Sequence, residues 1–295
     1  MPTYAFETLD VFTDRRFGGN PLAVVPDARG ISDADMQALA AEFNYSETTF
    51  VLPPSDPANT ARVRIFNRTA EMPFAGHPNV GTGYVLASQG RDAGGVLRFE
   101  EIAGLVEVRV RRDAAGAVTG AEIDAPRPLV LGPELTPEQV AACAGIAASD
   151  VVTERHRPVE ASVGIDFFFA ELTPGTLAGA DPDLAAFRKV AGEAALKGDR
   201  LSIFLYELHG NDVKARMFAP LSGTFEDAAT GSASATLAAL RLSLTDAAET
   251  RFEIVQGVEM GRPSRLAVSA RRAADGIRAS VGGDCVPVFR GEVSL

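Results

Sequence analysis

The chain has 295 residues, 46% of them hydrophobic and 23% charged, with a formal net charge of −11. That composition supports a sizeable soluble core, and the length favours two domains of roughly 100–150 residues each. The acidic balance argues against nucleic acid as a partner, because phosphate backbones are bound through clustered Lys and Arg. The densest basic pairs here, Arg15-Arg16 and Arg271-Arg272, read as solvated turns.

Cys143 and Cys285 lie far apart and outside any C-x-x-C pair, so they are expected as small buried apolar residues, not as zinc ligands or a disulfide. No basic-then-apolar signal segment opens the sequence, and no apolar run approaches the roughly 18–20 residues that span a bilayer. A cytoplasmic location without membrane contact is the expectation.

Tyr4 to Phe12 is rich in β-formers and predicts a first strand; the break at Phe17-Gly18-Gly19-Asn20-Pro21 precedes a second, Leu22 to Val25. Ser32, followed by Asp33 and Asp35, starts a helix with Met36, Leu39, Ala40 and Phe43 on one face, ending near Asn44. Tyr45 to Leu52 and the alternating run Ala61 to Phe66 predict strands, with a turn at 56–59 between them. The turn Phe74-Ala75-Gly76-His77-Pro78-Asn79 then opens an apolar helix over Val80 to Ala87, and Leu105 to Val110 alternates as a strand.

Ala125-Pro126-Arg127-Pro128 favours an extended crossing between domains. Beyond it, Thr136-Pro137-Glu138-Gln139 is a capping box with proline at the first helical position. Strands follow around Val151 to Val159 and Ile165 to Leu172, then a helix over Asp183 to Leu196, and strands over Leu201 to Glu207 and Asp212 to Phe218. A second small-residue turn, Ala229-Thr230-Gly231-Ser232, runs into an apolar helix over Leu237 to Leu242. Short strands near 251–255, 265–268, 277–281 and 286–289 close the sequence. The second half repeats the first in order and in approximate length, which points to a duplicated unit. Strands and helices are mixed without regular βαβ repetition, so the sheets should be mostly antiparallel.

Glycine turns that enter helices present backbone N–H groups and suit a carboxylate. His77 sits in the first such turn and could either cap it or donate to a substrate oxygen. Glu47, among β-formers, is either the exposed face of a strand or a partly desolvated general base or acid whose raised pKa would let it shuttle a proton. Glu226-Asp227 precedes the second turn, where acids could cap the helix or serve proton transfer at carbon. Arg262 could equally be a substrate clamp or a structural ion pair. His156 and His209 lack partners at metal-ligand spacing and read as surface or strand-end residues, so no metal site is expected. No G-x-x-x-x-G-K-[ST] or G-x-G-x-x-G motif supports nucleotide binding, and Gly231-Ser232-Ala233-Ser234-Ala235 lacks the last glycine of a nucleophile elbow. A hydrolase built on Ser232, His77 and Asp227 ranks below proton transfer.

Phe17-Gly18-Gly19-Asn20-Pro21-Leu22-Ala23-Val24, Asn44 to Val51, Phe74-Ala75-Gly76-His77-Pro78 with Gly81-Thr82, and Glu226 to Ala233 together resemble the PhzF-like family of phenazine-biosynthesis isomerases. Gln256-Gly257 and Met260-Gly261-Arg262-Pro263-Ser264 fit the same pattern, so the resemblance covers almost the whole chain. It implies an α+β (mixed α/β) diaminopimelate-epimerase-like fold: two pseudo-symmetric domains, each a curved, mostly antiparallel sheet around a central helix. The expected division is 1–125 with 284–295, and 126–283.

The resemblance further implies a cofactor-independent isomerase or epimerase that moves a proton between carbons of a small carboxylate-bearing metabolite, as with trans-2,3-dihydro-3-hydroxyanthranilate, and a homodimer. Carried over, Glu47 is the proton-shuttling carboxylate. His77 and Asp227 help bind and protonate the substrate, and Asn20, Gly76, Thr230, Gly231 and Ser232 bind it. The epimerases of this fold use a cysteine in each turn; this chain has His77 and Asp227 there, which disfavours two-cysteine racemisation. Ala228 stands where proline is usual, and Asn79-Val80 departs from the commoner Thr-x after His-Pro. A non-catalytic binding protein on the same fold is the alternative from another class.

Overall fold

A computed structural model describes residues 1–193, 201–210 and 212–295. The chain divides into two compact units, Met1–Asp124 with Val281–Leu295, and Ala125–Ser280.

The first unit contains β1 (Thr3–Val11), β2 (Asn20–Val25), α1 (Asp33–Phe43), β3 (Glu47–Leu52), β4 (Ala61–Phe66), β5 (Glu71–Met72), α2 (Gly76–Ser88), β6 (Val96–Glu101), β7 (Gly104–Arg112) and β8 (Val118–Asp124). The second contains β9 (Val130–Glu134), α3 (Pro137–Ala144), β10 (Val151–Val152), β11 (Val159–Ser162), β12 (Asp166–Leu172), α4 (Leu184–Glu193), β13 (Ile203–His209), β14 (Asp212–Ala219), β15 (Thr224–Asp227), α5 (Gly231–Ser243), β16 (Glu249–Gln256) and β17 (Ser264–Ala273). The last strand, β18 (Gly276–Ser294), returns its residues from 281 onward to the first unit, where it pairs antiparallel with β1.

The foreseen helix starts are real. The Ser32 hydroxyl accepts from Asp35 N–H at the head of α1, and Asn44 closes that helix in the left-handed region at φ 56°. Thr136 and Gln139 form both halves of the capping box at α3. Such caps satisfy N–H groups that the helix cannot, and each contributes about 1 kcal/mol. Met36, Leu39 and Ala40 of α1 pack with Val25, Phe50 and Phe66.

Helices α2 and α5 are different in kind. Each has 13 residues and is buried along most of its length, as an all-round apolar helix must be. Within its unit, α2 touches β1, β2, β3, β7 and β8, while α5 touches β11, β12, β16 and β17. Gly81 and Gly83 let strands close on α2: a Cβ would lie 2.5 Å from Leu22 Cδ2 at the first and 2.6 Å from Val108 Cγ1 at the second.

The two units follow one strand plan. In the first, β2 pairs parallel with β3 across α1, β3 antiparallel with β4, β4 antiparallel with β5, and β4 parallel with β6 across α2. In the second, β12 and β13, β13 and β14, β14 and β15, and β14 and β16 repeat those relations in the same order. Side chains follow the plan too. Arg64 on β4 holds Glu71 on β5 and lies over Phe66; Arg216 on β14 holds Glu226 on β15 and lies over Phe218.

Several elements differ from expectation. Both buried helices begin at their glycines, Gly76 and Gly231, so His77 and Ser232 belong to the first helical turn and not to a preceding loop. Pro78 is tolerated there because N–H groups of a first turn need no helical acceptor. The two closing strands near 277–281 and 286–289 are one continuous strand, β18. Its Gly282 and Gly283 look like a turn in sequence, yet they serve close backbone approach: a Cβ at Gly120 would meet Gly283 O at 2.0 Å. The expected strand 151–159 is two short ones, β10 and β11, separated at 153–158. Strands β5, β6, β8, β9 and β15 have no counterpart in the expected elements; β9 (VLGPE) is wholly exposed and exists by pairing with β11 against its own propensity. Positions 194–196 of the helix expected over Asp183 to Leu196 lie outside the described residues.

Candidate active site

Glu47 is the first residue of β3, placed there because Asn44 turns the chain sharply out of α1. Just before it, Ser46 Oγ donates to Asn20 Oδ1 at 3.0 Å, and Asn20 is the first residue of the parallel neighbour β2. One strand residue pair further in, Thr49 and Thr82 hydroxyls meet at 2.8 Å and fix α2 against β3. These ties set the N-terminal turn of α2 beside Glu47. The result is that Glu47 Oε2 lies 3.4 Å from His77 Nε2, with side-chain exposures of 17% and 6%.

The imidazole is neutral. Burial pushes the His77 pKa down to about 3, opposed only by a hydrogen bond to the Pro21 carbonyl. Nε2 makes no hydrogen bond among the described residues, so the bond to Pro21 comes from Nδ1–H. That fixes the tautomer and leaves Nε2 as an unprotonated acceptor 3.4 Å from the Glu47 carboxyl. A proton arriving on Glu47 therefore has an acceptor already in place. Gly76 and His77 open a helix whose N-cap, Ala75, has no side chain able to cap it. Backbone N–H groups there suit an anion.

The second unit carries the other nominated residues. Asp227 ends β15 and accepts the Thr230 hydroxyl at 2.8 Å. Thr230 is the N-cap of α5, followed by Gly231 and the half-exposed Ser232 in the first turn. Gln256 secures this turn with a set of bonds that sequence reasoning did not assign: Oε1 accepts Thr230 N–H at 3.1 Å, and Nε2 donates to Asp227 O at 2.8 Å and to Thr230 Oγ at 3.0 Å. Ser264 Oγ donates to Ala228 O at 2.8 Å, and Gly257, at φ +75°, brings its Cα close beneath that carbonyl. The Gln256-Gly257 and Ser264 signatures are thus turn-holding residues. Ala228 is buried, and its carbonyl is held by this bond.

The duplicated plan makes the chemistry asymmetric. The register of β13 against β14 matches that of β3 against β4, so Ser202 stands in the second unit where Glu47 stands in the first, and Ser232 where His77 does. An acid facing an imidazole lone pair occurs at the first position alone of these two.

The remaining nominated groups are engaged elsewhere. Glu226 is held bidentately by Arg216 at 2.8 Å for each bond. His209, at the end of β13, meets Glu207 at 2.9 Å. His156 is not a simple surface residue: its Nε2 lies 2.6 Å from the buried Tyr206 hydroxyl, which donates to Glu171, itself paired with Arg155. Cys143 and Cys285 are free and buried, which pushes both thiols up, Cys143 to about 12. Among the described residues no cluster of His, Cys, Asp and Glu could hold a metal ion, and no helix is long and apolar enough to cross a membrane.

Comparison with known proteins places this arrangement in a class. The profile of the family described as phenazine biosynthesis-like protein (PhzC-PhzF) matches residues 9–291. An uncharacterised isomerase of Mesorhizobium japonicum is 37% identical, with 100% of each chain covered. The trans-2,3-dihydro-3-hydroxyanthranilate isomerase of Pseudomonas chlororaphis is 34% identical over 97% of this chain and 98% of its own. The crystal structure of a Bacillus anthracis phenazine biosynthesis protein of the PhzF family superposes with a TM-score of 0.87 at 24% identity, each chain covered fully. The chain belongs to the PhzC-PhzF family. It is an isomerase.

Proposed function

We propose that the protein moves a proton between carbons of a small carboxylate-bearing metabolite without a cofactor, with Glu47 as the group that takes and returns it. The observation that carries this reading is the Glu47–His77 pair: a carboxyl group 3.4 Å from an imidazole nitrogen whose other nitrogen is committed to Pro21. A carboxylate base needs a place for its proton between abstraction and return, and the Nε2 lone pair supplies a hydrogen-bond acceptor for it. His77 thus acts as acceptor and anchor and needs no proton of its own. The first turn of α2 binds the substrate carboxylate through its N–H groups, with Asn20 and Gly76 lining the same end of β2 and α2. Asp227, Thr230, Gly231 and Ser232 serve as further binding groups, in line with the resemblance. Trans-2,3-dihydro-3-hydroxyanthranilate, the substrate named for the Pseudomonas chlororaphis relative, is the first compound to test. The sheet-around-a-helix description of each domain, a homodimeric state and a cytoplasmic location belong to the same reading.

The test is turnover of that compound in D2O, followed by NMR of the product. Deuterium at the receiving carbon is expected, because a proton resting on Glu47 exchanges with solvent. Turnover with no deuterium in any product, together with full activity of Glu47→Gln, would sink the proposal. A binding protein without chemistry would bind the compound equally as wild type and as Glu47→Gln and convert none. A hydrolase at Ser232 is disfavoured because His77 Nδ1–H is bonded to a backbone carbonyl, where a triad needs an acid.

A further inference from the structure

Glu101 and Asn79 hold buried polar atoms that the mechanism above does not use. Both carboxyl oxygens of Glu101 and Oδ1 of Asn79 are shielded from solvent and make no hydrogen bond among the described residues. Asn79 is fully buried in the first turn of α2, two residues after His77, and its amide donates to Ala75 O at 3.0 Å. Glu101 ends β6, and the hairpin it opens is tied to the approach of α2 by Ala103 N–H to Pro73 O at 3.0 Å. Native structures leave few buried polar groups idle, so this pair needs an explanation.

The duplication supplies one. In the first unit Ala61 and Arg62 of β4 face Phe99 and Glu100 of β6; in the second Val213 and Lys214 of β14 face Ile254 and Val255 of β16. The residue that follows, and ends its strand, is Glu101 in one unit and Gln256 in the other. Gln256 fastens the N-terminus of α5. We propose that Glu101 is the positioning residue for the N-terminus of α2, the counterpart in the first unit of Gln256 in the second.

A carboxylate could not copy a glutamine, because an amide both donates and accepts; a carboxylic acid can. Burial pushes Glu101 up to about 8, and only the neighbouring Asn79 side chain opposes the shift. It is therefore the protonated acid at neutral pH, with the Asn79 side chain close by. The ionisable groups on neighbouring elements are otherwise engaged. Glu100 accepts from Ser55 and Asp56 N–H and from Asn59, Glu71 on β5 pairs with Arg64, and His77 on α2 faces Glu47. Arg62 faces Glu100 across the strand pair, and Glu107 on β7 lies 3.8 Å from Arg98. Glu101 keeps its folded pKa above the unfolded value of 4.5, so its stabilising effect is complete below that value and is lost as pH rises from 4.5 to about 8.

The test compares wild type, Glu101→Gln and the reciprocal Gln256→Glu as full-length proteins. Melting temperatures are read from pH 5 to 9, with the ring ¹⁵N shifts of His77 assigned by loss in His77→Asn. At pH 5, Glu101→Gln should melt with wild type. As pH rises it should gain on wild type, by about 3 °C or more at pH 8.5, and Gln256→Glu should lose over the same range. His77 shifts should move near pH 8 in wild type and stay still in Glu101→Gln, a readout that a merely structural role would not alter. Parallel melting curves, a Glu101→Gln protein that melts several degrees low at pH 5, or His77 shifts that move alike in both would overturn the proposal. No substrate enters this test, so it stands or falls apart from the proposed function.

Discussion

His77 Nε2 lies 3.4 Å from Glu47 Oε2 while the other ring nitrogen donates to the Pro21 carbonyl. Strand β2 thereby fixes which side of the imidazole the acid on β3 sees. The neutral ring is a consequence of burial, and it carries a pH signature. The folded pKa, about 3, lies below the unfolded 6.5. The stabilising effect of burying the neutral ring is therefore complete above 6.5 and is lost as pH falls from 6.5 to about 3. Across that window the unfolded chain binds up to one more proton at this site, a slope of about 1.4 kcal/mol per pH unit. Urea unfolding from pH 7 to 4 should show this slope in wild type and a flatter acid limb in His77→Gln. Equal slopes would mean that His77 is hydrated or charged in the folded protein.

Gly81→Ala should destabilise the first unit. An added Cβ would meet Leu22 Cδ2 at 2.5 Å, Val11 Cγ2 at 2.9 Å and Leu9 Cδ1 at 3.3 Å, all side chains of the packed core. Overpacking costs about 1–3 kcal/mol and the helix propensity gain returns about 1 kcal/mol. A net loss of about 1 kcal/mol in urea unfolding is expected; a stabilised variant would show that the strands around α2 give way freely.

The duplicated arginines should not be equal. Arg216 pairs with Glu226, lies over Phe218, and also donates to the carbonyls of Leu177 at 2.8 Å and Ala180 at 2.6 Å. Arg64 pairs with Glu71 and with Asp33, the latter 83% exposed and so of little weight. Removing Arg216 strands a part-buried carboxylate and two carbonyls, so Arg216→Ala should cost about 3–5 kcal/mol. Arg64→Ala should cost distinctly less. Equal losses in chemical denaturation would argue against a role for the two carbonyl bonds.

Much of the fold was legible because its signals are local. The Ser32 cap, the Thr136 capping box and the Asn44 helix end act within a few residues, and each is seen in the structure; the repeated glycines mark the two buried helices, as their first residues and not as turns before them. What escaped depends on distant partners. Gly282-Gly283 reads as a turn until β8 approaches it, and β9 is a strand because β11 lies beside it. The site divides the same way. Glu47 and His77 were singled out through their motifs and lie side by side in the structure, while the carbonyl that sets the His77 tautomer belongs to Pro21, 56 positions away in sequence. Glu101, in Glu100-Glu101-Ile102-Ala103-Gly104, looks like an exposed hairpin acid. Its burial and its correspondence with Gln256 emerge only from strand register.

Proton removal by Glu47 is tested by single-turnover kinetics of Glu47→Gln on trans-2,3-dihydro-3-hydroxyanthranilate carrying deuterium at the carbon that loses its proton, beside wild type. Glutamine keeps the shape and removes the proposed base. A primary isotope effect is expected in wild type, and a rate about 10²–10⁴ lower in Glu47→Gln with binding retained. Unchanged turnover by Glu47→Gln would contradict it.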